Sequence, residues 1–483
     1  MEMKNLNLKL KNFIKIFVCL ILCVFAFALS ACGKGDDDDY IYPNSTLDTF
    51  GNGGLAVQKG DYIYFVNGYQ SSEDMSSQNA SYTLGALMIA KLDNNGNLIL
   101  NEDDLLDDDY YRTMSDRLCG FEATGLYIFG DYLYFTSPCQ ENESGDEVWA
   151  KNRVDFYRIR LNKSGDVERL YQTEVEHSNL EYQYYSHNSN VYLLVYEKGT
   201  NLDNDDISNR LIRVDANSKS VSTIATNATS VVMPDSSNEY IANSYSKIFY
   251  VEQDSESGDY ALNKYDIVSN SSSTYMTSPA SMTATFVTNS YIYITDNANS
   301  RNIMMRSHIA DNSAFERSGP VDTSIYSSLE MTPEGNCIVA VTENTIEFFI
   351  YGDTEPAIRM IEDTDEEVTE INIIGFANGY IVYYDNNNAI KMVSYANIMA
   401  GSESDIKTLA TITDLSEDKY FDLDSEYVYF YKTVGSNDYL HRLAINNNFD
   451  EPEEMVGVYL EDDIPEPEEE EVDEGAIDQG ETA

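Results

Sequence analysis

The pentapeptide Asp61-Tyr62-Ile63-Tyr64-Phe65 returns as Asp131-Tyr132-Leu133-Tyr134-Phe135, and looser versions recur along the chain. Aromatic and β-branched runs bounded by Asn, Asp, Ser and Gly read as strands joined by tight turns. Eight such runs follow in order: Tyr62 to Asn67, Tyr132 to Ser137, Val191 to Glu197, Lys247 to Glu252, Tyr291 to Asp296, Cys337 to Thr342, Tyr380 to Asp385 and Tyr427 to Lys432. Their first residues lie 70, 59, 56, 44, 46, 43 and 47 apart. A repeat of this length is one supersecondary unit that cannot bury its own faces and must stack on its neighbours.

Most units share an internal order: a short strand, a turn, the Tyr-rich strand, a loop, and a third strand ending in a hairpin. The third strand often carries a basic residue near its middle, as in Phe156-Tyr157-Arg158, Ile212-Arg213-Val214, Met305-Arg306 and His441-Arg442-Leu443. The turns Asp93-Asn94-Asn95-Gly96-Asn97 and Asn162-Lys163-Ser164-Gly165-Asp166 place Gly where a hairpin needs positive φ. No helical periodicity with caps separates the strands, which argues against alternating βαβ units. The pattern predicts an all-β fold, a β-propeller of eight blades over residues 50–460. Two alternatives stay open at this point: seven blades, because the Cys337 unit is the least like the others, and a pair of β-sandwich domains.

Tyr293-Ile294-Thr295-Asp296, followed by Ile303 and Arg306, resembles the YWTD blades of the low-density-lipoprotein-receptor propellers. Exported bacterial lipoproteins that carry a related domain of unknown function (DUF5050-like) are similar too. Ile stands here in place of the motif's Trp, and other units read Tyr64-Phe65-Val66-Asn67 or Tyr134-Phe135-Thr136-Ser137. The resemblance implies the fold and carries over no binding residue.

Before the repeats, Lys4, Lys9, Lys11 and Lys15 precede an apolar run from Ile16 to Leu29. The run is shorter than the roughly 18–20 residues a spanning helix needs, and the charge pattern is that of a signal peptide. It ends in Leu29-Ser30-Ala31-Cys32, which resembles the lipobox of bacterial lipoproteins. The resemblance implies removal of residues 1–31 and attachment of lipid to Cys32, so the expected place is the cell envelope, on the extracytoplasmic side of a membrane. Residues 32–49 then form an acidic tether. Residues 461–483, with twelve Asp or Glu and neither Lys nor Arg, form an acidic tail expected to be disordered.

The formal net charge is −53, and −56 once residues 1–31 with four Lys and one Glu are gone. Such a chain repels nucleic acid. The expected partners are the membrane, through the lipid, and a protein, peptide or glycan, with weak divalent-cation binding at carboxylate clusters such as Asp103, Asp104 and Asp107 to Asp109. These lie in one of two long first-unit inserts, Gly68 to Leu84 and Asn101 to Cys119. Asp93 to Asn97 reads as a turn, because it lacks the closing Glu and glycine register of a calcium loop. Cys119, Cys139 and Cys337 form no disulfide framework, although the first two flank one hairpin.

No HExxH, GxSxG, phosphate-cradling GxxxxGK[ST] or GxGxxG context occurs, and the four His (177, 187, 308, 441) are scattered. The sequence therefore nominates no catalytic, metal or cofactor-binding residue. Tyr62, Tyr64, Tyr132 and Tyr134 read as core rather than ligand platforms. The leading expectation is an anchored binding or scaffold protein. The alternatives are an envelope polysaccharide hydrolase or lyase with channel carboxylates, and an envelope assembly factor similar in architecture to the eight-bladed lipoproteins of outer-membrane insertion machines.

Overall fold

The computed structural model describes residues 48–445, apart from 70–83, 100–109, 121–124, 139–152, 162–166, 176–179, 188, 202–206, 234–246, 298–301, 311–313, 319–321, 352–356, 366, 417–418 and 435–436. Leu29, Ser30, Ala31, Cys32, the tether to residue 47, the tail, the Asp103–Asp109 cluster, Gly165, His177, Cys139 and the side chain of Cys119 lie outside the described residues.

Eight antiparallel sheets succeed one another, spanning 49–120, 127–172, 180–225, 228–278, 282–317, 328–362, 371–411 and 421–444, numbered here as blades 1 to 8. The chain is an eight-bladed β-propeller. The Cys337 unit forms a complete four-stranded blade 6, so the seven-blade and two-sandwich alternatives fall. Each repeated sequence follows a strand on the inner side of its blade: Tyr62–Tyr69 after Ala56–Lys59, Tyr132–Pro138 after Tyr127–Phe129, Tyr427–Val434 after Phe421–Leu423. The late half of the second insert differs from the expected loop. Residues Tyr111–Gly120 form the outer strand of blade 1, paired along Leu84–Lys91. One short helix also escaped the sequence reading: Tyr395–Ala400, begun by Ser394, whose side chain accepts from the Asn397 amide, and ended by Gly401 at φ 82°.

The core is a chain of interfaces between blades. Val154, Phe156 and Leu170 of blade 2 pack on Leu193, Val195 and Ile212 of blade 3, and Cys337, Val339 and Phe348 of blade 6 on Ile381 and Val393 of blade 7. Tyr62, Tyr64 and Tyr134 are buried, and Tyr132 is half-buried against the blade 2–blade 3 cluster. The expectation that they serve as core holds.

The basic residues of the third strands have a shared task. Arg158 lies 4.4 Å from the ring centroid of Tyr132, Arg213 4.3 Å from Tyr192, Arg306 4.5 Å from Tyr291 and Arg442 4.0 Å from Tyr427. In register, Arg158 stands opposite Tyr134, Arg306 opposite Tyr293 and Arg442 opposite Tyr429, so each guanidinium reaches the diagonal Tyr two residues back. A desolvated contact of this kind is worth about 1–2 kcal/mol. Arg158 and Arg306 are also clamped from the outer strand by Glu168 (2.6 Å) and Glu316 (2.8 Å).

Many carboxylates shape turns. Asp93 Oδ1 accepts the amides of Asn95 and Asn97. Asp215 accepts those of Asn217 and Ser218, Asp254 those of Glu256 and Ser257, and Asp266 those of Val268 and Ser269. The Asp93 segment is thus a turn, with Gly96 at φ 83°.

Between blades 6 and 7 the buried Lys391 ammonium meets Asp385 at 2.8 Å and Asp363 at 2.9 Å, and the Tyr383 hydroxyl donates to Asp363. Burial alone would lower the Lys391 pKa, but the two carboxylates outweigh it and hold the ammonium charged. Lys391→Met strands two buried anions, and the expected loss of stability is about 3–5 kcal/mol, read from the urea unfolding midpoint and slope.

Candidate functional site

The innermost strands of all eight blades face a central channel, and a cavity of about 1200 Å³ opens within it. The walls come from Tyr127 of blade 2, Gln183 of blade 3, Val232 of blade 4, Phe286 of blade 5, Glu330 of blade 6, Phe376 of blade 7 and Phe421 of blade 8. Blade 1 contributes differently. The two-residue strand Thr49–Phe50 pairs with Ala56–Lys59 on the channel side, adding a fifth strand to that sheet. Phe50 is 47% exposed in the cavity wall. The short helix sets Tyr395 into the same wall, where its hydroxyl donates to Glu334 at 2.9 Å.

Residues 51–55 clasp the ring closed. The Gly53 amide donates to the Leu126 carbonyl at 2.7 Å, the Leu126 amide returns a bond to Gly54, and Asn52 exchanges bonds with the Ile128 backbone. On the other side the Leu55 amide donates to Asp422 Oδ2 at 2.9 Å. This closeness requires glycine at 54, where a Cβ would lie 1.7 Å from the Asp422 carboxylate. Tyr431 completes the seam by donating to the Val66 carbonyl at 2.6 Å.

Four carboxylates line the cavity, and no Lys or Arg stands among its described lining residues. Three of the four are occupied. Asp422 holds the Leu55 amide, Glu334 holds Tyr395, and Asp424 accepts the amides of Glu426 and Tyr427 together with the Tyr429 hydroxyl. Glu330 has only a 3.4 Å bond from the Ser328 hydroxyl, and burial raises its pKa. Burial likewise pushes Asp422 up to about 6, against the opposing pull of the Leu423, Leu55 and Ala56 amides and with a further push from Asp424.

The remaining candidates are dispersed. His441 is buried against Phe430, and burial pushes it down to about 4. The ring of His308 sits edge-on to Tyr291. Burial pushes the Cys337 thiol up to about 12. Among the described residues no group of three or more His, Cys, Asp or Glu is placed to hold a metal ion. The channel residues had no signal in the sequence. They sit on short strands and mix Gln, Thr, Glu, Gly and Phe, and only the fold brings them together.

No family model and no curated protein matches the chain. Solved structures similar to it include the CNH domain of AfRom2, at 12% identity over 67% of this chain and 94% of that one, with TM-score 0.37. Another is Hsv2 of Kluyvelomyces marxianus, at 6% identity over 68% and 96%, with TM-score 0.39. A third is a puromycin-hydrolyzing peptidase of Mycobacterium tuberculosis, at 7% identity over 83% and 59%, with TM-score 0.38. These are distant likenesses, and nothing of those proteins' activities is carried to this chain.

The Asp422 carboxyl binds its proton more firmly folded than unfolded, so its contribution favours the fold at low pH and fades as pH rises from about 4 to about 6. Relative to Asp422→Asn, the wild-type chain is expected to lose stability across that interval, measured as the difference in urea midpoints. A constant difference would contradict the assignment.

Proposed function

We propose that the protein is a lipid-anchored, extracytoplasmic binding or scaffold protein that presents its propeller channel to a protein, peptide or glycan. The channel cavity carries the binding half of this reading. It is of ligand size, it is built from every blade, and three of its four carboxylates are already engaged in holding backbone and tyrosine groups. Exposed Phe50 and the neighbouring rings offer stacking surface to a sugar or an aromatic side chain. The lipobox-like Leu29-Ser30-Ala31-Cys32 supports the anchor, and the YWTD-like strands support kinship with exported lipoproteins of the DUF5050-like type.

Affinity capture from envelope extracts with the wild-type propeller and with Phe50→Ala tests the binding half. A species retained by the wild type and retained at least about ten-fold less by the variant is the expected result, since one aromatic anchor carries a large share of such affinity. Equal retention would place the contact elsewhere. Release of reducing ends from an envelope glycan, abolished by Glu330→Gln, would replace this reading with a hydrolase.

Cys32→Ser tests the anchor. The variant is expected to lose incorporation of labelled fatty acid, since serine offers no thiol for the thioether; incorporation equal to wild type would contradict the anchor.

A further inference from the structure

One register position can be compared across all eight blades: the residue that stands opposite the third residue of the repeated strand. It is Tyr127 opposite Tyr134, Phe286 opposite Tyr293, Glu330 opposite Val339, Gly375 opposite Val382 and Asp422 opposite Tyr429. Blades 1, 3 and 4 place Val57, Tyr184 and Val232 there. Only blades 6 and 8 carry an acid at this position.

The two acids differ in what they do. Asp422 closes the ring by accepting the Leu55 amide. Glu330 closes nothing, since its bond comes from the Ser328 hydroxyl of its own strand at 3.4 Å. It lies on the side of Ser328–Met331 that packs on blade 7, because its cross-strand partner Val339 belongs to that apolar junction. Burial there disfavours its charge, and no cation among the described residues offsets the effect. A desolvated carboxylate without a counter-charge is costly, whereas Val232 and Phe286 serve the fold at the same position in blades 4 and 5. The counter-charge for Glu330 has to come from outside the chain.

The rest of the wall narrows the choice. No Lys or Arg stands among the described lining residues, and Tyr127, Phe286, Phe376, Phe421 and exposed Phe50 present rings. Ring faces attract cations, and a cavity lined by one sign of charge concentrates its field. A divalent metal fits poorly, because it needs several oxygen ligands and no group of three or more such residues gathers among the described residues. Resting on the channel-binding reading above, we infer that the cavity takes an organic cation, with its charge on Glu330 and its alkyl stem against the rings. The group is an alkylammonium or guanidinium, as borne by a polyamine or by a lysine or arginine side chain.

Titration calorimetry of the full chain tests this with spermidine and the capped peptides acetyl-Gly-Lys-Gly-amide and acetyl-Gly-Arg-Gly-amide. At least one is expected to bind at a single site, about ten-fold more weakly in Glu330→Gln, as the loss of a charge-assisted bond predicts. Affinity is expected to stay unchanged in Asp254→Asn, which removes an equal charge from an exposed turn. The preferred probe then tells a free amine from a protein-borne cation. Because Glu330 serves no other group, the urea midpoint of Glu330→Gln is expected at or above that of wild type; a lower one would show the acid serving the fold and overturn the inference. No binding of any probe would overturn it too, as would equal weakening in both variants, the mark of counter-ions gathering on an acidic surface. So would equal affinity for the neutral acetyl-Gly-Gln-Gly-amide. Envelope capture separates the two readings: a species lost in Phe50→Ala but retained in Glu330→Gln would sink the cation and leave channel binding standing. Capture indifferent to both variants would remove the two together.

Discussion

A sheet in this chain has two apolar faces, and only a neighbour on each side covers both. Seven of the eight junctions join blades that follow one another in sequence, so a short connection brings their faces together. The eighth must join residues far apart in the chain, which incurs a larger loop-closure cost and has to be held by specific contacts. Those contacts are the Leu55 amide on Asp422, the Tyr431 hydroxyl on the Val66 carbonyl, and Arg442 on the Gly96 carbonyl. The channel depends on the same seam, because Gly51, Asn52 and Gly53 line it and are positioned by the clasp.

The contacts that close the ring include these polar ones beside buried apolar residues such as Val66 and Leu440. Directional bonds to backbone groups accept one arrangement of the partner blade, while apolar faces tolerate sliding. Asp422 shows the cost of this choice: the carboxylate lies where burial disfavours its charge, and three amides offset that only in part. The Lys391 cluster plays a comparable part between blades 6 and 7, where two carboxylates and one ammonium meet.

The repeated strands were legible because aromatic and β-branched residues announce a buried strand whatever the register, as Tyr291–Asp296 and Tyr380–Asp385 show in matching their sequence-derived bounds. The third-strand arginines were legible too, but their task was not. The Tyr each covers is a diagonal neighbour, and the glutamate that clamps Arg158 lies across a hairpin. The channel was invisible: Tyr127–Phe129 and Phe421–Leu423 are three residues each, too short for a period. The helix at Tyr395–Ala400 is under two turns and gave no amphipathic signal, although its Ser394 and Gly401 caps stand plainly in the sequence.

The aspartates in the turns have a consequence of their own. Asp93, Asp215, Asp254 and Asp266 each bind the amides that follow them through one oxygen, and an asparagine side chain offers the same oxygen without the charge. Shape and charge are therefore separable in this molecule. Each exchange of Asp for Asn at such a turn would remove one negative charge while the hairpin kept its path, so at these turns the charge can change without changing the architecture.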